Sequence, residues 1–550
     1  MTFRRSGWGR LVGWTAAALV VSTAAVAGPS APRAAPVSRP RLVVVIVVDQ
    51  FRSDYLSRFR PFFGPGGFNR FLQTGASFPQ ARYRHATTST CPGHAVILTG
   101  SYAEVNGIIA NGWYDRGTAG PVNCAEDKGV SLVGSAGPGR SPRKLLARTV
   151  GDLLKTATAG RSRVVTVAGK DRSAIMLGGH LADAAYWMVD TMFVTSTYYR
   201  RDLPPWVREF NGARPVSGYI GRTWDRLLPA ASYQMMGPDD EPAESDVAGM
   251  GRTFPHPLAG SAAFENSPFL NDVLADFALR AVEAEGLGRD TVPDLLGIGF
   301  SASDHVGHLY GPDSHEVIDA TVRLDRTLRR LFDALDRTIG LANVVVVLTA
   351  DHGVGPMPEV LKRQHPGASV ARRQDPAPIE AAARRALVAR YGRIPAPGWI
   401  LYHSPPMMYL NVGALEARHV PVGDAERVAQ AAVQAFPGVH EVLTSDELAR
   451  QRARGVETAA TRSFYPPRSG NLYYRLEPYW LADAGRTGAD HGTTWQYDQE
   501  VPMLWFGRGI VAGARQGPAD IADIAPTLSA LLGLASPAGA KGRALAGLVR

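Results

Sequence analysis

A chain of 550 residues can bury a large core, and its 45% hydrophobic and 20% charged content belongs to a globular protein, which excludes a disordered or fibrous one. The formal net charge of +9 is carried unevenly, because residues 1–41 hold six arginines and no acid. No later Lys/Arg stripe with interleaved aromatics appears, so no nucleic-acid-binding partner is expected, although the mild basic excess suits anionic small molecules.

In chain order, the first element reads as an export signal. Arg4, Arg5 and Arg10 precede an apolar run from Leu11 to Ala27 that ends in the small-x-small cleavage site Ala25-Val26-Ala27. Cleavage near Ala27 leaves a Pro/Ala/Ser-rich tether over 28–40 and delivers a periplasmic or secreted chain. The run has only 17 residues, with Gly, Trp, Ser and Thr among them, and no later stretch could span a bilayer, so no stable membrane span is expected after cleavage. Export permits Cys91 and Cys124 to pair, but spacing alone does not pair them.

A single globular body is expected over 41–550. Apolar runs at 42–48, 163–168, 294–300, 343–349 and 502–507 read as sheet strands, and helical periodicity appears at 269–284, 315–338, 375–391 and 523–533. The alternation predicts an α/β fold, a mostly parallel sheet flanked by helices. Two stretches break the pattern. Residues 360–485 contain Pro395, Pro397, Pro405 and Pro406 and predict a cap, with 401–414 neither regular strand nor helix. Residues 185–265 are rich in Tyr, Trp, Pro and Gly and predict a second lid, where Tyr186, Trp187, Tyr198, Tyr199 and Trp206 either line a leaving-group pocket or pack the lid.

Acids and histidines follow the apolar runs. Asp49 ends RLVVVIVVD, Asp304 and His308 follow LLGIGFSA, Asp351 and His352 follow NVVVVLTA, and His491 sits in GADHG. Ligands of α/β folds gather beyond the carboxyl ends of the strands, so these residues predict a divalent metal centre there. Asp304 and His308 can share an ion across one helical turn, and Asp351 and His352 can do so at a strand corner. Carboxylate and imidazole suit zinc, and two ions about 4 Å apart suit an in-line phosphoryl displacement. The candidate nucleophile lies in HATTSTCPGHAVILTG, where Pro92 marks a helix start and Thr90 sits near the helix entrance, whose free N–H groups favour phosphoryl oxygens. Thr87, Thr88 and Ser89 are rival hydroxyls, and His85, His94, His305 and His315 carry no comparable signal.

The motifs VVDQFRSDY (47–55), TCPGH (90–94), NGWYD (111–115), GKDRSA (169–174), SDHVGH (303–308) and ADHG (350–353 and 489–492) together resemble the alkaline phosphatase superfamily. The closest resemblance is to the periplasmic single-chain phosphatases with a threonine nucleophile, and it runs from about Arg41 to the C-terminus. The resemblance implies that Thr90 attacks phosphorus. It implies one zinc on Asp49, Thr90, Asp351 and His352, and a second on Asp304, His308 and His491. Asn111, Lys170 and Arg172 are implied to hold the phosphoryl oxygens, with the basic pair standing where three-metal relatives hold magnesium, so no third Mg2+ is expected. The implied reaction is hydrolysis of small-molecule phosphate monoesters through a phosphothreonine intermediate. A phosphodiesterase or nucleotide pyrophosphatase of the same superfamily is the alternative, a sulfatase lacks support because CPG at 91–93 is not its nucleophile motif, and a noncatalytic surface-binding protein would bind no metal pair.

Overall fold

A computed structural model describes residues 39–365 and 371–549; the expected signal peptide and nearly all of the tether lie outside the described residues. The central strands are β1 (Leu42–Val48), β2 (Val164–Ala168), β3 (Ala184–Val189), β4 (Asp294–Phe300), β5 (Val344–Thr349) and β6 (Met503–Gly507). Every residue of β1, β4 and β5 is buried. Strands covered on both faces need continuous apolar runs rather than alternation, which is how these segments read.

The order β5-β1-β4-β2-β3 is parallel throughout, with Leu42 level with both Asp294 and Val344. An antiparallel pairing opens each edge, and further strands, the outermost on one side paired in parallel, bring the total to eleven among the described residues. The run 502–507 therefore joins the sheet as expected, but reversed: Met503 of β6 faces Thr349 of β5. Reversal brings the approach to β6 to the end of the sheet where β1, β4 and β5 finish, and His491 lies on that approach.

The helices that carry or support the site are α1 (Thr90–Thr99), α2 (Asp171–Gly178), α3 (Phe269–Ala284), α4 (Ala302–Tyr310) and α5 (His315–Thr338). Helix α1 is buried along its whole length, which its apolar composition allows. Helix α5 is amphipathic, burying Val317, Ile318, Val322, Leu328, Leu331 and Leu335, and its start is capped by Ser314, whose hydroxyl accepts from the Val317 N–H.

The stretch 360–485 contains a four-stranded sheet in the order Ile400–Ser404, Met407–Leu410, Leu472–Leu476, Val439–Thr444. It has its own core around Ile379, Leu387, Trp399, Ala429 and Tyr474. Its segment 401–414, expected to be irregular, is largely a β-hairpin, because Pro405 and Pro406 occupy the turn, where no ladder N–H is needed. The stretch 185–265 also differs from a lid at its start, since β3 and the antiparallel strand Met192–Ser196 belong to the main sheet. Tyr186 and Trp206 pack edge-on against each other, and both also contact Phe277 of α3. They are core residues, not pocket walls. No helix of the described residues is long and apolar enough to cross a membrane.

Candidate metal centre

Five of the ligand candidates follow closely on a strand of the sheet. Asp49 follows β1 directly, Asp351 and His352 lie one and two residues beyond Ala350 at the end of β5, and Asp304 and His308 sit one turn apart in α4 just after β4. Two clusters result among the described residues: Asp49, Asp351 and His352, and Asp304, His308 and His491. Within each, ligand atoms lie within 4.8 Å of one another.

In the first cluster His352 Nε2 is 3.5 Å from both Asp49 Oδ1 and Asp351 Oδ2. All three atoms are buried and none has a hydrogen-bond partner. Asp49 Oδ1 and His352 Nε2 are orphaned and Asp351 Oδ2 otherwise has only His94 Nδ1 near it, at 3.2 Å, so a shared cation is the group that satisfies the three buried atoms together. In the second cluster Asp304 Oδ1 lies 3.3 Å from His308 Nε2 and 3.7 Å from His491 Nε2.

The histidines are set for ligation. Nδ1 of His352, His308 and His491 lies 2.9, 2.8 and 2.7 Å from the carbonyl oxygens of Gly353, Ala489 and Thr88 respectively. A carbonyl only accepts, so Nδ1 is the protonated nitrogen of each ring in its neutral form and Nε2 is the nitrogen that faces the site. Electrostatics agree with a cation. Burial, then Asp304 and Asp351, push the Asp49 carboxyl up to about 6. Burial, then His491, hold His352 well below the usual imidazole range, so it stays neutral. Burial works against charge on Asp304, but His308 and Lys170 outweigh it and keep the carboxyl ionised.

Lys170 immediately precedes α2 and is buried between the clusters, its Nζ donating to Asp49 Oδ2 at 2.7 Å and to Asp304 Oδ2 at 2.5 Å. Burial opposes its charge, and the two carboxylates more than restore it. Arg172 follows on the first turn of α2. Its guanidinium reaches Asp171 only at 3.8 Å and its buried Nε has no partner, while Asp171 is gripped by Arg140.

Thr90 opens α1 behind the extended Ser89. The helix can approach the first cluster because residue 93 is glycine: a Cβ there would stand 2.2 Å from the Asp351 carbonyl oxygen. Of the rival hydroxyls, Thr88 donates to the Thr493 carbonyl and lends its own carbonyl to His491. Asn111 accepts at its carboxamide oxygen from the Cys91 N–H at 2.7 Å. Cys91 and Cys124 form a disulfide.

Two residues not singled out from the sequence join the site. Gln50 bonds both clusters, and His94 Nδ1 lies 3.2 Å from Asp351 Oδ2 and 2.9 Å from the Thr90 carbonyl. The position of His94 one turn beyond Thr90 was the available clue. A cavity of about 320 Å³ opens beside Asn111 and His491, and its far wall comes from the cap through Pro405, Tyr473, Arg475 and Trp480. None of Tyr186, Trp187, Tyr198, Tyr199 and Trp206 lines this cavity, so of the two roles open to them it is not the one they take here.

Residues 43–498 match the family of type I phosphodiesterases and nucleotide pyrophosphatases. The chain is 33% identical over 528 residues to alkaline phosphatase PhoV of Synechococcus elongatus, covering 94% of each chain. It is 32% identical over 545 residues to alkaline phosphatase PafA of Elizabethkingia meningoseptica, covering 96% of this chain and 97% of that one. The crystal structure of PafA superposes with a TM-score of 0.88 over 94% of this chain and all of that one. Murine ectonucleotide pyrophosphatase/phosphodiesterase 5, at 16% identity and a TM-score of 0.52 over 90% of this chain and 95% of its own, shares the fold alone. The chain belongs to the alkaline phosphatase superfamily. Within it, sequence and fold place the chain in the PafA-like subfamily, whose nucleophile is threonine.

Proposed function

We propose that this protein is an exported, two-zinc phosphomonoesterase with Thr90 as its nucleophile. The observation that carries the reading is Lys170, an ammonium bonded to one carboxylate of each metal-ligand cluster. A phosphate monoester brings three charged nonbridging oxygens, and a cation between two metal sites matches that charge. The family match to type I phosphodiesterases keeps diester hydrolysis as the second reading. A diester has one charged oxygen fewer, so the Lys170–Arg172 pair fits it less well.

Asp49, Thr90, Asp351 and His352 would hold one ion, and Asp304, His308 and His491 the other; the mixed nitrogen and oxygen donors favour zinc. Bound there, the ions supply Lewis acidity that lowers the pKa of a hydroxyl or water and offsets charge on the attacking and leaving oxygens. Lys170 and Arg172 take the electrostatic place of a third ion. In the first step the Thr90 oxygen bonds to phosphorus while the bond to the ester oxygen breaks, and the alcohol departs with a proton. In the second, water attacks the phosphothreonine, inorganic phosphate leaves, and Thr90 regains its hydroxyl. Asn111, Lys170 and Arg172 donate to the nonbridging oxygens through both steps.

The cavity between Asn111, His491 and the cap has room for an organic leaving group, which supports small-molecule monoesters as substrates. Export is supported by the basic, apolar and small-x-small pattern of residues 1–27 and by the disulfide, which suits an oxidising compartment. The deciding experiment combines metal quantification on the purified mature chain with turnover of a monoester and a diester sharing one leaving group. Two zinc equivalents and monoester preference are expected; diester preference, or turnover without bound metal, overturns the reading.

A further inference from the structure

Asn111 is fixed at two points, and both belong to half-cystines. Its side-chain oxygen accepts from the Cys91 N–H at 2.7 Å, and its main-chain carbonyl accepts from the Cys124 N–H at 2.9 Å. Cys91 lies in the first turn of α1, next to Thr90. Cys124 directly follows the strand Gly120–Asn123, whose partner Gly112–Asp115 begins one residue after Asn111. The disulfide thus ties the helix that presents Thr90 to the hairpin that presents Asn111, and both sulfurs are fully buried beside Trp113, Ile108 and Ile109.

The chemistry of the clamp decides which end of the amide meets a ligand. A backbone N–H can only donate, so the carboxamide end facing Cys91 is the oxygen, and the NH2 end is left for the cavity that Asn111 lines with Ser89 and His491. An Asn on an untethered hairpin would have to be ordered by the substrate itself, at a cost in affinity. We propose that the Cys91–Cys124 disulfide is a positioning device that holds the Asn111 NH2 group toward the transferred phosphoryl group, so that oxidation after export completes the phosphoryl-binding site. The inference rests on the phosphoryl-binding role proposed for Asn111.

Cys91→Ala/Cys124→Ala, Asn111→Ala and the combined triple variant are compared at equal metal content and well below their unfolding temperatures. Losing a hydrogen bond to a charged oxygen costs about 10- to 100-fold, so Asn111→Ala is expected to lower monoester kcat/KM within that range. The cysteine pair is expected to lose about tenfold, to raise the inhibition constant for inorganic phosphate in parallel, and to add no more than about twofold in the Asn111→Ala background. Full kcat/KM in the cysteine variant, or losses that multiply in the triple variant, overturns the proposal. If Asn111→Ala itself leaves phosphate binding unchanged, the role of Asn111 fails first, a distinct result. Cys91→Ala/Cys124→Val preserves core volume and undergoes the same comparisons if the alanine pair does not fold.

Discussion

Gln50 Nε2 donates to Asp304 Oδ1 at 3.0 Å, a bond from the residue after one cluster's first aspartate to the leading aspartate of the other. The backbone N–H of Gln50 simultaneously donates to Asp351 Oδ1 at 3.1 Å. Gln50 holds this pose at φ 61°, in the left-handed region, where a side chain costs about 1 kcal/mol. Gly307 on α4 makes room for it, since a Cβ there would stand 1.9 Å from the Gln50 side-chain oxygen.

Gln50→Gly separates the two contributions, because glycine keeps the backbone conformation and its bond to Asp351 while deleting the amide. Outer groups that orient ligands are worth about tenfold or more in metal affinity. The expected outcome is one metal equivalent lost at roughly tenfold lower chelator concentration than in the wild type, with the second equivalent unchanged. Identical retention of both equivalents during graded chelation would remove Gln50 from the site.

Thr90→Ala is expected to abolish the acid-stable phosphoenzyme and to reduce turnover by at least about a thousandfold, as loss of a nucleophile does. Thr90→Ser keeps a hydroxyl at the helix entrance and should retain labelled enzyme on acid quench. Thr88 is a poor substitute because its hydroxyl and carbonyl already serve Thr493 and His491. A phosphoenzyme of undiminished yield in Thr90→Ala would move the nucleophile elsewhere.

Asp498 anchors the loop that carries His491, with Oδ2 accepting from the Thr493 N–H at 2.8 Å and from its hydroxyl at 2.6 Å. Burial pushes its carboxyl up to about 7 although the Thr493 bonds pull the other way. The folded state therefore binds this proton more tightly than the unfolded chain. Stability from the protonated acid is fully present below about pH 4 and is lost as pH rises to about 7, up to about 4 kcal/mol. Asp498→Asn keeps an acceptor for Thr493 without the charge. Urea unfolding from pH 5 to 8 should show the variant gaining on the wild type as pH rises. A pH-independent difference would contradict the raised carboxyl.

Much of this architecture was legible in the chain. Runs such as LVVVIVV are long, apolar and β-branched, and Asp49, Asp304 and Asp351 follow them so closely that the strands themselves deliver the ligands. Direction was not legible: the apolar run of β6 has the same pattern whether it lies parallel or reversed, and only pairing with β5 decides. The Pro405–Pro406 hairpin looked irregular because prolines mark the absence of a ladder bond without saying whether a turn or a break follows. Gln50 was missed because its bond to Asp304 spans 254 positions and leaves no periodic trace. Tyr186 and Trp206 stayed open between pocket and packing for the same reason, since an aromatic-rich segment reads alike whether its rings face Phe277 or a substrate.

Arg172 offers the sharpest test of substrate charge because its guanidinium is free of the metal ligands. Lys170 touches Asp49 and Asp304, so removing it would disturb both clusters and confuse charge with metal loss. Among the described residues the Arg172 guanidinium pairs only with Asp171, at 3.8 Å, while Arg140 holds that aspartate from the other side. Arg172→Ala should therefore leave both metal equivalents in place and act on the phosphoryl oxygens alone. For a monoester it removes a charge-assisted contact and should lower kcat/KM about 10- to 100-fold. A diester replaces one charged oxygen with an alkoxy group, so its smaller baseline rate should fall by a smaller factor. Monoester and diester with the same leaving group, measured at equal metal content, isolate the difference. Equal proportional losses would mean that Arg172 does not read the second charge, and the preference for monoesters would then have to rest on Lys170.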